Sequence, residues 1–97
     1  VRDAEMLKKY AKTIEQINQI ETDYLNIRRE YDKREFEIIC NFDFRAEYGK
    51  DNEKIRKGHI RNELSDLLLK KDAIKLEMDK LNRQKTLLEL EILYGGE

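Results

Sequence analysis

Apolar residues recur along this chain at steps of three and four, the spacing that lines one face of an α-helix. In the first half, Leu7, Tyr10, Ile14 and Ile17 lie at steps of three, four and three. Ile17, Ile20, Tyr24, Ile27 and Tyr31 continue at three, four, three and four, and Ile38 extends the run. The two successive threes around Ile17 predict a stammer, a local overwinding of a heptad-based supercoil. In the second half, Ile60, Leu64, Leu67, Lys71, Ile74, Met78, Leu81, Lys85, Leu88 and Ile92 alternate four and three without a slip. Such regularity predicts a coiled-coil seam. The lysines at its core positions are read as snorkelling residues that penalise wrong registers.

The pattern predicts one helix over about 3–40, a joint over about 41–52 and a second helix over about 52–94. All three lie in a single coiled-coil domain, 1–97. Each helix would be about 60 Å long at 1.5 Å per residue. The joint concentrates Phe, Tyr, Asn, Asp and Gly. The alternation of Phe42 and Phe44 with Asn41 and Asp43 hints at a short extended piece. Asp51 or Asn52 is the expected cap of the second helix, with Glu53 in its first turn. Gly58 is a mid-helix cost of about 1 kcal/mol relative to Ala, and is read as allowing a bend or close packing. The fold expected is all-α: two long helices forming an antiparallel coiled-coil hairpin.

The second helix carries a further stripe. Leu69, Ala73, Leu76, Leu87 and Leu90 fall largely opposite the main seam, interrupted by Lys80 and Arg83, while Leu68 widens the main face. A two-stranded hairpin would leave this surface in water, so Leu68, Leu69, Leu76, Leu87 and Leu90 are the expected oligomer interface. A dimer of hairpins, forming a helical bundle, is the favoured assembly.

Composition fits long thin helices. Of 97 residues, 42% are charged and 39% hydrophobic, too much charge to surround a thick core. There is no proline to break a helix. Lys and Arg number 20 against 21 Asp and Glu, for a net charge of −1, which argues against a general polyanion binder. One cysteine, Cys40, makes neither an internal disulfide nor a cysteine-based zinc site, and a reducing cytoplasm is the simplest setting. No apolar run approaches a membrane span, and no membrane association is expected. No leader pattern opens the chain, and a first residue of Val suggests that native residues precede it. The final Gly95-Gly96-Glu97 reads as a helix stop or an appended tail.

Catalysis has little to stand on. His59, the single histidine, lies beside Lys57 and Arg61, with no second ligand spaced for a metal, and reads as a surface or seam residue. Cys40, beside Ile38, Ile39 and Phe42, reads as a small packed residue at a helix end. Gly49 and Gly58 are isolated and form no phosphate loop. No catalytic residue, metal site or cofactor is expected.

The joint looks specialised. Tyr31, Phe36, Phe42, Phe44 and Tyr48 place five of the eight Phe and Tyr residues in or near it. Phe42, Phe44, Arg45, Tyr48, Lys50, Lys54, Arg56 and Lys57 are its candidate contact residues, for a protein partner or for single-stranded nucleic acid held by phosphate contacts and stacking. The competing reading, favoured here, is an aromatic plug closing the hairpin end while the charges pair with one another.

Asn41-Phe-Asp-Phe-Arg, followed by Tyr48-Gly-Lys-Asp-Asn-Glu-Lys-Ile-Arg56, resembles a pattern in small coiled-coil proteins of bacteriophages and prophages. There an Asn/Asp-Phe-Lys/Arg segment precedes an Asn-Glu-x-x-Arg helix start between charged helices. The resemblance covers about 20 residues well. It implies a phage or prophage origin, among early or recombination genes, and supplies no catalytic residues. The function expected is therefore non-enzymatic: a coiled-coil structural or interaction protein that self-associates and engages a host or phage protein. The rival expectation is a nucleic-acid-associated accessory factor in phage recombination or replication, acting through the joint.

Overall fold

The computed structural model describes residues Arg2–Gly95, and within them the chain is all-α, with no strand. Four helices follow one another: α1 (Arg2–Asn41), α2 (Phe44–Tyr48), α3 (Glu53–Glu63) and α4 (Ser65–Tyr94). They form two compact units. The first takes α1 up to Tyr24 and α4 from Ala73. The second takes Leu25–Asp72. Gly96 and Glu97 of the expected helix stop lie outside the described residues. Gly95 directly follows the end of α4, and its N–H donates to the Glu91 carbonyl at 2.8 Å.

In the first unit the two helical segments run antiparallel. Tyr10 Oη donates to Glu89 Oε1 at 3.3 Å and Gln84 Nε2 donates to Thr13 Oγ1 at 3.4 Å, so position rises on α1 as it falls on α4. Ile17, Leu81 and Leu88 are the buried apolar residues here. Ile74, Met78 and Lys85 of the expected seam are half-buried, and Ile92 lies at its exposed end. Lys85 reaches Glu89 Oε1 at 3.7 Å, its stem along the seam and its ammonium at the edge.

Around the expected stammer, Ile14, Ile17 and Ile20 are all buried or half-buried, and Thr13 is buried as well. Thr13 is 1% exposed and Leu7 is 54% exposed. Through Thr13 the positions Met6, Tyr10, Thr13, Ile17, Ile20, Tyr24, Ile27 and Tyr31 alternate four and three, with Ile14 half-buried beside Thr13. A threonine fits a core position because its hydroxyl is satisfied on its own helix: Oγ1 donates to the Lys9 carbonyl at 2.9 Å. The repeat slips later, where half-buried Glu35 follows Tyr31 by four and Ile38 follows by three.

In the second unit Phe44, Ile60 and Leu64 are buried and Leu67, Leu68 and Lys71 half-buried. The expected extended piece is replaced by a helical turn. Between α1 and α2 only Phe42 and Asp43 lie outside helix, and Asp43 caps α2 by accepting from the Ala46 N–H at 3.0 Å. Gly49 ends α2 in the left-handed region, φ 73°, where its N–H donates to the Arg45 carbonyl at 2.8 Å. Asn52, not Asp51, caps α3, accepting from the Ile55 N–H at 2.9 Å.

The second helix, expected to be continuous from 52 to 94, is interrupted at Leu64, whose φ −104° and ψ 21° leave the helical region. The interruption is one residue deep. Leu64 N–H still donates to the Ile60 carbonyl and Leu68 N–H to the Leu64 carbonyl, at 2.9 and 3.1 Å. Gly58 is not its cause. It lies inside α3, and a Cβ added there would meet nothing within 4 Å, so neither a bend nor close packing within the chain requires it.

Candidate functional site

The joint builds an aromatic cluster around His59. The reversal between α1 and α3 is only a few residues on either side of α2, and α2 packs on α3. Phe42 stacks on the His59 ring with centroids 4.0 Å apart, and Phe44 meets both rings edge-on, at 4.8 Å from Phe42 and 5.5 Å from His59. Tyr48 closes the fourth side, 5.7 Å from His59, and its Oη shares a 2.8 Å hydrogen bond with His59 Nδ1. The other ring nitrogen, Nε2, faces Glu63 Oε1 at 4.0 Å.

The sequence placed His59 as a surface or seam residue; its side chain is 11% exposed and sits at the centre of this cluster. The missed signal is positional. His59 follows Ile55 by four on α3, and both are half-buried. Cys40, expected to be packed, is exposed. Ile38 takes the half-buried position, and a residue two further on points to the far side of the helix.

Phe44 is 2% exposed, and its ring lies 5.5 Å from the Arg56 guanidinium. Arg56 in turn holds Asp51 in a bidentate pair, Nε to Oδ1 at 2.6 Å and Nη2 to Oδ2 at 2.8 Å. The hydrogen bond from Arg56 holds the Asp51 carboxyl below its usual range and raises the guanidinium in return. Lys57 lies 2.9 Å from Glu53 and lowers that carboxyl in the same way. Arg45, Lys50 and Lys54 are exposed, and no ion pair among the described residues engages them.

A shallow cleft between α1 and α3 is lined by Tyr31, Glu35, Ile39, Arg56, Ile60 and Arg61. Burial, then the Glu35 carboxylate, raises the Tyr31 phenol above its ordinary value, so it stays neutral. Among the described residues no group of three His, Cys, Asp or Glu side chains is placed to hold a metal ion. No described helix is long and apolar enough to cross a membrane.

The second candidate surface is the far face of α4. Leu69, Leu76, Leu87 and Leu90 are between 48% and 69% exposed. Leu68, named with them from sequence, is half-buried. Leu93 and Tyr94 enlarge the exposed apolar set toward the end of the helix. Neither was singled out from the sequence, although Tyr94 follows Leu87 by seven and so falls on the same stripe.

No protein-family model, curated protein or solved structure matches this chain.

Proposed function

We propose that this chain is a non-enzymatic coiled-coil interaction protein that folds back as an antiparallel hairpin and self-associates, dimer favoured, through the leucine face of α4. One observation carries the reading: Leu69, Leu76, Leu87 and Leu90 share a face at heptad spacing and all remain exposed after the main seam has formed. Burying four leucines contributes about 6–12 kcal/mol gross at roughly 1.5–3 each, before the costs of association. That is large enough to drive dimerisation, and leaving so much apolar surface in water favours any partner that covers it.

The aromatic joint supports the same reading. Phe42, Phe44, Tyr48 and His59 spend their ring faces on one another, and Arg56 and Lys57 are engaged by Asp51 and Glu53. Such a cluster acts as an apolar plug at the turn. A phage or prophage origin, with a host or phage protein as a further partner, accords with the resemblance of the joint. Light scattering over a series of concentrations tests the proposal. The mass should rise toward twice that of one chain, and a strict monomer into the high micromolar range contradicts it.

A further inference from the structure

We propose that the exposed face of α4 is closed by the same face of a second copy, running antiparallel about a two-fold axis that passes beside Leu81 and Asn82. The inference rests on the self-association reading and names the partner and register of that same surface.

The stripe is symmetric about its middle. Counting inward from its ends, Leu69 corresponds to Tyr94, Ala73 to Leu90, Leu76 to Leu87 and Lys80 to Arg83. Two antiparallel copies bring each such pair level, because the two core positions of a heptad face each other in an antiparallel pair. Every outer layer then sets an apolar residue on an apolar residue. A slip of one heptad destroys the match, placing Leu76 against Lys80 in one direction and Lys80 against Leu90 in the other. An isologous contact of this kind closes on itself as a dimer.

Charge separates this arrangement from a parallel one. At the flanks of an antiparallel pair Lys70 falls beside the partner's Glu91, and the two-fold repeats that attraction. A parallel pair instead sets Asp72 beside the partner's Glu77, a repulsion made twice. All four side chains are exposed. In the middle, Lys80 and Arg83 of both copies meet. Glu77 lies three residues before Lys80 and Asp79 four before Arg83, the spacings at which side chains on one helix face are neighbours, so the cations are offset by carboxylates of their own helix. These pairs are neighbours by spacing alone: no ion pair among the described residues engages Lys80 or Arg83. From Leu69 to Tyr94 the stripe is about 38 Å long, and at about 10 Å of helix width its footprint is roughly 400 Å² per copy. That is below standard interface size, so the association is expected to be reversible and in the micromolar range.

The test is sedimentation equilibrium on the full chain, with helicity checked by circular dichroism. Lys80 is exposed, so its replacement leaves the fold intact. Lys80→Glu sets a carboxylate opposite the partner's Arg83, twice per dimer, and should tighten the dimer about tenfold. Lys80→Glu combined with Arg83→Glu restores like charges across the axis and should lose the gain. A dimer that Leu87→Asp dissociates but that Lys80→Glu weakens or leaves unchanged overturns the two-fold register while self-association stands. A wild-type chain that stays monomeric removes both proposals.

Discussion

Tyr48 and His59, eleven residues apart, share a 2.8 Å hydrogen bond between the phenol oxygen and Nδ1 and thereby tie α2 to α3. The other ring nitrogen, Nε2, faces Glu63 Oε1 at 4.0 Å, so both edges of the imidazole meet polar partners. Removing the phenol oxygen with Tyr48→Phe should cost about 0.5–1.5 kcal/mol. His59→Ala also gives up the stack on Phe42 and should cost about 2–3 kcal/mol. Urea unfolding measures both. In the double variant the two losses should fall short of additive by roughly the hydrogen bond, and strict additivity would mean the bond contributes nothing.

Thr13 offers the reverse case. It is buried at a core position and its hydroxyl answers the Lys9 carbonyl, already inside a helix, and the amide of Gln84, which is exposed. Neither partner is stranded when the hydroxyl goes. Thr13→Val should therefore raise stability by up to about 1 kcal/mol. A loss of similar size would show that the link to Gln84 fixes the seam.

Gly58 occupies a helix interior with open space where a Cβ would stand. Gly58→Ala should stabilise the chain by about 0.5–1 kcal/mol, through helix propensity and the unfolded state. Thermal unfolding reads this directly. A destabilised variant would point to an approach at this site that the single chain does not make.

Asp51 and Glu53 are held below their ordinary values of 3.8 and 4.5 by Arg56 and Lys57. A carboxyl whose folded pKa is depressed contributes stability that is present above its unfolded value. It is lost as pH falls through the folded one. The melting temperature should accordingly decline as pH drops through and below those ordinary values. Asp51→Asn should lower stability at neutral pH slightly, since the pair is exposed, and should flatten that decline. An unchanged acid profile in Asp51→Asn would show the ion pair to be inert.

Much of the fold was legible because period is a strong signal. The seam from Ile60 to Leu88 is buried or half-buried at each core position. The errors lie where a residue's type misleads about its surroundings. Thr13 is polar and Leu7 apolar, yet Thr13 is buried and Leu7 exposed, while Tyr10, Ile14, Ile17 and Ile20 keep their expected places. Only the hydroxyl bonded to the Lys9 carbonyl reveals Thr13 as core. The break at Leu64 has no sequence signature, being a local change of dihedral at a well-packed leucine. The aromatic joint was legible as a composition, but its centre was not. His59 is recruited by Phe42 and Tyr48 from beyond the turn, and its place four after Ile55 signals burial without naming those partners.

The central claim is that the leucine face of α4 holds copies of this chain together. Sedimentation equilibrium on the wild-type chain beside Leu76→Asp/Leu87→Asp, at matched concentrations and with helicity compared, tests it most directly. Both leucines are exposed within the single chain, so the substitutions should leave helicity unchanged. The wild type should approach the mass of a dimer, and the double variant should remain a monomer. Equal masses for the two proteins at every concentration would contradict it.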